Sequence, residues 1–206
     1  MTSKSSYHHG DLKQTLLDAA TKLIEEQGIE QLSLRKLAEN VGVSRTAAYH
    51  HFADKNDLLC AIAALGFSRW RKQADQLIAN KRLSTEGKFR AFVHQYLTFA
   101  TENANTYDLM FGRAIWKDQN STQELKAVAY PCFDFQVTLT KQWQDNGILP
   151  ANENALRLAQ VIWGTLHGIA RLIIDGVYTD ASNISEMGEC AVRLLLINCD
   201  FDTNTS

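Results

Sequence analysis

Apolar residues recur every three or four positions along most of the chain, a spacing typical of amphipathic helices. The first such run starts after Asp11 and ends at Gly28, a residue suited to terminate a helix. A short second helix is predicted over residues 34–40, with Ser33 as its N-cap. The pattern therefore predicts an all-α protein from its first elements onward.

A third short helix is predicted directly after the second. Gly42 can adopt the left-handed conformation that a tight turn needs, and Ser44 is placed to cap the new helix. That helix closes near Phe52, and Asp54 is placed to cap a long fourth helix that runs past Trp70. Short helices are marginally stable alone, so these must share one core. Its predicted members are Leu16, Ala20, Leu23, Leu34, Leu37, Ala38, Val43, Ala48, Phe52 and Leu58.

Longer helices are predicted in the rest of the chain, over residues 86–103, 105–116, 121–146, 153–176 and 185–200. We therefore predict two domains. Residues 1–55 would form a three-helix domain of the helix-turn-helix type, and residues 56–206 a larger helical domain. The composition agrees with a helical protein that has a sizeable core, because 45% of the residues are hydrophobic and only 2 are prolines.

Three features of the sequence limit the possible classes of function: its charge, its first residues and its cysteines. The net charge is −2 and the sequence pI about 6.3, so nucleic-acid binding must come from a local arrangement. The first residues hold no apolar stretch of a signal peptide, and no apolar run reaches the roughly 18 residues that cross a membrane. A cytoplasmic protein without membrane association is expected. The 4 cysteines form no C-x-x-C pair and are expected to be buried free thiols.

The third helix has the composition of a helix that enters the major groove of DNA. Arg45 at its start can bind guanine bidentately, and Thr46 or Ala47 can contact a thymine methyl group. Side chains that can donate hydrogen bonds to phosphate oxygens follow at Tyr49, His50, His51 and Lys55. The alternative is a small helical subdomain with a solvated polar face, in which Tyr49 is a half-buried core aromatic.

The segment "AATKLIEEQGIEQLSLRKLAENVGVSRTAAYHHFADKNDLL" resembles the N-terminal domain of the TetR family of bacterial transcriptional regulators. Over about residues 10–65 it matches, in order, the Gly28 turn, "LSLRKLAENVGVS", the Tyr49 and Phe52 pair, and the run 55–59. The resemblance implies a homodimeric, repressor-type regulator of a palindromic operator, with a C-terminal domain for ligand binding and dimerisation. By position it implies base or groove contacts for Arg35, Arg45, Thr46, Ala47 and Tyr49, and phosphate contacts for Ser33, His51 and Lys55.

Trp163, His167, Gly168 and Arg171 lie mostly on one face of the helix predicted over residues 153–176. The Trp-x-x-x-His-Gly pattern resembles a C-terminal subgroup of the same family, as does "YHHGDL" near the start. His167 could face a ligand pocket, with Trp163 as one wall. Alternatively, Gly168 permits a close helix crossing and His167 is a satisfied core histidine.

Further residues could complete a pocket for a small effector. The candidates outside that helix are Tyr107, Met110, Phe111, Trp116 and Phe133. Together with a few polar atoms, from Tyr130 and His94 for example, they would suit a mostly apolar effector. The alternative is that each lies in an ordinary core, where an apolar stripe at helical spacing is usually found.

The last two predicted helices are apolar on more than one face, which is typical of helices that pack against two neighbours. A four-helix interface between two copies of the chain explains the second face, and the family resemblance implies such a homodimer. A helix buried at the centre of one chain is the alternative.

Motifs of common enzymes are missing from the sequence. There is no Gly-rich phosphate loop, no H-E-x-x-H and no G-x-S-x-G, so neither an enzyme nor a bound cofactor is expected. The pairs His8–His9 and His50–His51 are poor chelates, because neighbouring residues of a helix point apart. We therefore predict a ligand-responsive DNA-binding repressor. The alternatives are a metal- or redox-responsive regulator and an interaction protein that keeps the fold without binding DNA.

Overall fold

The computed structural model describes residues 12–117, 120–178 and 183–197. Within these ranges the regular elements are helical, which confirms the predicted all-α class. A 3₁₀ turn, Ile29–Gln31, accompanies the α-helices. The α-helices are α1 (Leu12–Gln27), α2 (Leu34–Val41), α3 (Arg45–His51), α4 (Lys55–Ile78), α5 (Thr85–Glu102), α6 (Ala104–Phe111), α7 (Arg113–Trp116), α8 (Gln123–Asp145), α9 (Ala155–Ile174) and α10 (Ile184–Ile197).

Two predicted helix boundaries have clear physical causes. Gly28 ends α1 with φ +82°, a backbone conformation that residues with a Cβ atom rarely adopt. Asp54 caps α4 as predicted, because its Oδ1 accepts a hydrogen bond from the backbone N–H of Asp57 at 2.8 Å. The side chain of Asp57 in turn accepts a hydrogen bond at its Oδ2 from the backbone N–H of Ala53, at 3.0 Å. These reciprocal bonds fix the short connection between α3 and α4.

The single helix predicted over residues 105–116 is wrong, since the structure has two helices there. Gly112 separates α6 from α7 in an extended conformation, with φ −76° and ψ 158°. A Cβ atom at Gly112 would lie 2.1 Å from the backbone oxygen of Asp108, which no larger residue could tolerate without a shift. The ring N–H of Trp116 donates to the backbone oxygen of Met110 at 2.7 Å and ties α7 back to α6.

The described residues pack into two compact units. The first contains the described residues up to Phe67 and those of the range 103–127, and thus α1–α3, the start of α4, α6, α7 and the start of α8. The unit that holds the three short helices therefore extends beyond the residue 55 predicted for the DNA-binding domain. In it α1 packs against α2 and α6, and α2 packs against α3.

The core of the first unit follows the predicted apolar set with one exception. Nine of its ten members are buried. Those at 0% exposure include Leu16, Leu37 and Ala48, whereas Val43 is only partly buried. Val43 is at the turn between α2 and α3, where its backbone N–H donates to the Ala38 oxygen at 3.0 Å. The backbone of Val43 thus contributes to the turn, and its side chain is not a full core member.

The second unit comprises residues 68–102 and the described residues from Val128 onward. In it α5 packs against α9 and α10, which also contact each other. Its core is rich in aromatic rings in edge-to-face contact. The Phe89 and Trp143 ring centroids lie 5.0 Å apart at 82°, and those of Trp70 and Phe92 lie 6.1 Å apart at 71°.

The cysteine prediction is confirmed at two positions and wrong at a third. Cys60 and Cys132 are buried free thiols, and burial raises the pKa of the Cys132 thiol to about 11. Burial also raises the pKa of Cys60. Cys190, in contrast, is exposed on α10. The fourth cysteine, Cys199, and the "YHHGD" part of the "YHHGDL" segment are outside the described residues.

Candidate functional site

The turn between α2 and α3 is built by residues that the sequence predicted. Ser33 Oγ accepts a hydrogen bond from the Lys36 backbone N–H at 3.2 Å and caps α2. Ser44 Oγ accepts from the Ala47 backbone N–H at 3.1 Å and caps α3. Between them Gly42 has φ +76° and ψ 30°, the left-handed conformation expected of a glycine after a helix. Ser33 thus fixes the start of α2, and Gly42 and Ser44 together define the turn and the start of α3.

One face of α3 is exposed and the opposite face is anchored in the core. Ala48 is completely buried, whereas Ala47 and His51 are partly buried. The exposed residues are Arg45, Thr46, Tyr49 and His50. Tyr49 is 53% exposed, so about half of its surface reaches solvent and it is not a member of the buried core. The exposed face therefore carries the side chains predicted to meet DNA.

Two arginines predicted to contact DNA share one carboxylate. Glu39 Oε1 accepts a hydrogen bond from Arg35 Nε at 3.0 Å and from Arg45 Nη2 at 3.4 Å. The bond from Arg35 is the largest of the effects that lower the pKa of Glu39, and the charge of Arg45 adds to it. Glu39 is therefore ionised at neutral pH. It links the last turn of α2 to the first residue of α3.

Lys55, predicted to contact phosphate, also has a partner inside the protein. Its Nζ donates to the backbone oxygen of Ile29 at 3.0 Å. An ammonium group has three donors, so this bond uses one of them. The bond joins the first residue of α4 to the 3₁₀ turn and places the ammonium group at the Ile29 oxygen.

The pocket candidates of the first unit lie in α6 and α7. Tyr107 and Met110 are each 1% exposed and belong to the core. The Phe111 ring contacts that of Tyr107, with centroids 4.8 Å apart, and that of Phe67, with centroids 5.2 Å apart. Phe111 thus joins the rings of Tyr107 and Phe67, and Trp116 bonds to the backbone oxygen of Met110.

The candidates of the second unit cluster around Trp163 on α9. Its ring contacts that of Phe133, with centroids 5.2 Å apart, and its Nε1–H donates to Tyr96 Oη at 2.9 Å. Tyr96 was not among the predicted site residues. His167 and Arg171 follow Trp163 along the same helix at four-residue steps. The structure therefore brings Phe133 and Trp163 together and adds a buried tyrosine hydroxyl to them.

Two further polar candidates differ in their surroundings. Tyr130 is 58% exposed on α8. His94 on α5 has its Nε2 2.7 Å from Glu189 Oε1 on α10, and the same carboxylate pairs with Arg90. The hydrogen bond with His94 is the largest of the effects that lower the pKa of Glu189. This network links α5 to α10.

A hydrogen-bonded contact between α1 and α6 involves side chains that the sequence did not indicate. Glu25 Oε1 accepts from the backbone N–H of Thr106 at 2.9 Å and from its hydroxyl at 2.6 Å. Glu25 Oε2 accepts from the backbone N–H of Asn105 at 3.3 Å. The contact spans 80 residues of sequence, so no local pattern could have indicated it.

α9 and α10 each expose an apolar stripe. Val161 is 58% exposed on α9 and Leu194 is 64% exposed on α10. Apart from the chain neighbours and the backbone of α9 itself, no described atom lies within 4 Å of a Cβ atom built at Gly164 or Gly168. The close helix crossing at Gly168 is therefore not found among the described residues of the chain. The alternative in which these helices are buried at the centre of one chain is wrong for these faces.

The pH dependence of protein stability tests the surroundings of His167. Burial, and then the charge of Arg171, lower the pKa of its imidazole below the ordinary value of 6.5. The unfolded chain therefore binds a proton near that pH that the folded chain does not, and stability falls as the pH drops through about 6.5. We expect His167→Gln to lose less stability than the wild type between pH 7 and pH 5, measured by urea unfolding.

The control for this test is His50→Gln, which removes an exposed histidine of α3. If His167→Gln lost as much stability between pH 7 and pH 5 as the wild type, the prediction would be contradicted. Arg171 itself pairs with Asp175 one helical turn further on, so its charge is fixed near the end of α9.

Comparison with known protein families assigns both parts of the chain. Residues 16–62 match the model described as bacterial regulatory proteins, tetR family. Residues 89–195, more than half of the chain, match the model described as a tetracyclin repressor-like C-terminal domain. The chain belongs to the TetR family. It is thus a DNA-binding transcriptional regulator, and the helix-turn-helix predicted from the sequence is confirmed.

Individual TetR-family relatives are distant over the full length. The HTH-type transcriptional regulator AcrR of Shigella flexneri is 38% identical over 68 residues, which are 33% of this chain and only 32% of that protein. The uncharacterized regulator YobS of Bacillus subtilis is 22% identical over 91% of this chain and 92% of its own. A solved structure of a protein of unknown function from Rhodococcus sp. RHA1 is 28% identical, with a TM-score of 0.81 over 95% of this chain and 98% of that one.

Two features of the described residues bear on other classes of function. No helix there combines the length and the apolar character that a membrane span requires. In the same residues no group of three or more histidine, cysteine, aspartate or glutamate side chains could hold a metal ion. His8 and His9 lie outside the described part of the chain.

Proposed function

We propose that this TetR-family regulator is a ligand-responsive repressor that binds a palindromic operator as a homodimer and leaves it when a small, mostly apolar effector binds. The observation that carries the proposal is the exposed face of α3, which begins at a capped, glycine-defined turn. Helices in that setting place their first residues against base edges in the major groove.

Arg45, Thr46 and Ala47 are the proposed base-reading residues. They occupy the first turn of α3, where Arg45 and Thr46 are exposed and Ala47 is partly buried. Arg35 at the start of α2 is proposed to assist from the groove edge. Tyr49, at 53% exposure, can reach either a base or a phosphate.

The proposed phosphate contacts surround this face. They are Ser33, His50, His51 and Lys55. Ser33 and Lys55 are each placed at the amino end of a helix, where the backbone N–H groups favour a phosphate. Phosphate contacts of this kind set the position of the protein on the duplex but do not read its sequence.

The exposed stripes of α9 and α10 support the homodimer. One recognition helix makes too few contacts for specific binding at cellular salt. Two copies related by a two-fold axis would present their α3 helices to major grooves about 34–36 Å apart. The small residues Gly164, Thr165 and Gly168 on the α9 stripe would let a helix of the second copy approach closely.

The effector is proposed to bind among the aromatic residues of the domain predicted over residues 56–206. The proposed lining residues are Tyr107, Met110, Phe111 and Trp116 in the first compact unit and, as a separate candidate cluster, Phe133, Trp163, His167 and Arg171 in the second. Trp163, His167 and Gly168 also support membership of the Trp-x-x-x-His-Gly subgroup. We propose that the effector shifts α6 and α7, that α4 transmits the shift, and that the two DNA-binding heads separate. The effector must bind this second state more tightly than the DNA-binding state.

The proposal is tested by selecting bound sequences from random double-stranded DNA with the purified protein at two salt concentrations. We expect an enriched palindrome. Arg45→Ala should lose preference at one base pair of each half-site, at a cost of about 1–3 kcal/mol for that base. Lys22→Ala is the matched control, because it removes a positive charge from an exposed side chain of α1 and leaves α3 unchanged.

A uniform loss across all sequences on Arg45→Ala would contradict its base-reading role. A wild-type protein that enriches no duplex, yet captures a stable protein partner, would favour the alternative of an interaction protein. Enrichment that depends on added metal or on oxidation would favour a metal- or redox-responsive regulator.

A further inference from the structure

One acidic residue lies inside the proposed DNA-binding surface. Between Ser33 and Ala53 the sequence contains Arg35, Lys36 and Arg45 but a single carboxylate, that of Glu39. The one oxygen Glu39 Oε1 is bonded to both arginines, at 3.0 and 3.4 Å. The carboxylate therefore holds together the two arginines proposed to enter the groove.

These ion pairs are poorly placed to stabilise the fold. The side chains of Arg35, Glu39 and Arg45 are 66%, 57% and 57% exposed. Exposed pairs are screened by solvent and contribute little to folding. A negative charge on a DNA-binding surface also repels phosphates. The position of Glu39 therefore calls for a role in binding rather than in stability.

The geometry of the Arg45 side chain suggests that role. A guanidinium group has five N–H donors, and the bond to Glu39 uses one of them, on Nη2. Donors therefore remain for the two acceptors of a guanine while the bond to Glu39 is kept. Contact with a phosphate, in contrast, requires the arginine to swing toward the backbone of the DNA and away from the carboxylate.

We infer that Glu39 is a specificity-determining residue, which holds Arg35 and Arg45 in the direction of the bases and opposes their use as phosphate contacts on non-operator DNA. The inference rests on the proposed function. The bond is retained in the operator complex and lost in the non-specific complex, so its contribution differs between the two. Holding the side chain in its bound direction also lowers the ordering cost of base readout.

The test compares Glu39→Gln with wild type on two duplexes of equal length, the selected palindrome and a scrambled version of it. We expect the variant to bind the scrambled duplex about fivefold more tightly than wild type does, a size that matches the loss of two exposed ion pairs. We expect it to bind the palindrome no more tightly than wild type does. The salt dependence for the scrambled duplex should steepen by about one unit in log–log slope, because an arginine is released to a phosphate.

Glu26→Gln is the matched control. Glu26 is also exposed, and its partner at 3.8 Å is Lys22 on the same helix α1, so the substitution changes the net charge equally without releasing Arg35 or Arg45. We expect this variant to alter the affinity for both duplexes by the same factor. A specificity ratio in Glu39→Gln that matches wild type or Glu26→Gln would overturn the inference and leave the proposed function intact. A wild-type protein that does not distinguish the two duplexes would overturn both.

Discussion

Replacing Val161 with glutamate is expected to separate the homodimer and to weaken operator binding at least about a hundredfold. Val161 is 58% exposed at the middle of α9, in the stripe proposed to meet the second copy. A two-fold interface contains every substitution twice, so the variant would bury two unpaired carboxylates. Each would have to leave water without a partner, a cost of several kcal/mol that exceeds the roughly 2.7 kcal/mol of a hundredfold change.

Sedimentation velocity gives the oligomeric state and a gel shift gives the affinity, both at the same protein concentration. The matched control is Tyr130→Glu, which places the same charge at a side chain 58% exposed on α8, outside the stripe. The control should remain a dimer with wild-type affinity. A Val161→Glu protein that sediments as a dimer and binds the operator normally would show that α9 does not form the interface.

The turn at the DNA-binding site was predictable because its causes are local. Ser33, Gly42, Ser44 and Asp54 each act within four residues of their own position, through a side-chain cap or a backbone conformation that only certain residues adopt. The spacing of apolar residues likewise predicted which side of α3 is buried, since Ala48 lies in the core and Tyr49 does not.

The break at Gly112 has local causes that the spacing of apolar residues does not express: a Cβ atom there would lie 2.1 Å from the Asp108 oxygen, and Trp116 bonds back to Met110. The compact units, in contrast, are decided by long-range packing. The grouping of residues 103–127 with the first unit depends on contacts across more than 80 positions of sequence. Hydrophobic periodicity contains no information on such pairings, so the compact units could not be read from it.

The ion pairs and hydrogen bonds of the site also divide into features that the sequence predicted and features that it did not. The identity of Arg45 as an exposed residue at the start of α3 followed from the sequence. Its bond to Glu39 did not, because the two residues are six positions apart across a turn whose geometry had to be known first. The bond from Lys55 to the Ile29 oxygen, 26 positions away, was equally hidden. Sequence patterns therefore identified the side chains of the site but not the partners that orient them.

Glu25→Ala is expected to lower the free energy of unfolding by about 2–4 kcal/mol and to loosen α6 from α1. The Glu25 carboxylate accepts bonds from the backbone N–H groups of Asn105 and Thr106 and from the Thr106 hydroxyl. Hydrogen bonds to a charged group contribute about 1.5–3 kcal/mol, and an anion beside a helix amino end adds about 0.3–1 kcal/mol. Thr106 is only 3% exposed, so water cannot readily replace the lost acceptor.

α6 is also fixed to α4 at the same residue. A Cβ atom built at Gly66 would lie 2.8 Å from Thr106 Cγ2 and 2.7 Å from Met110 Sδ, so the two helices cross closely there. Thr106 therefore contacts α4 through its methyl group and Glu25 of α1 through its hydroxyl. In the proposed mechanism α6 moves when the effector binds. Release of its amino end should consequently increase the exchange of the Asn105 and Thr106 amide hydrogens before the rest of the unit unfolds.

Urea unfolding measures the loss of stability, and hydrogen exchange at Asn105 and Thr106 locates it. Glu26→Ala is the neighbouring control, since the exposed pair of Glu26 with Lys22 at 3.8 Å should contribute less than about 0.5 kcal/mol. Combining Glu25→Gln with Thr106→Val in a double-mutant cycle isolates the hydroxyl–carboxylate bond, because residues in direct contact give non-additive effects. If Glu25→Ala proved no more destabilising than Glu26→Ala, the carboxylate would not hold α6, and the response to the effector would have to reach α1 by another route.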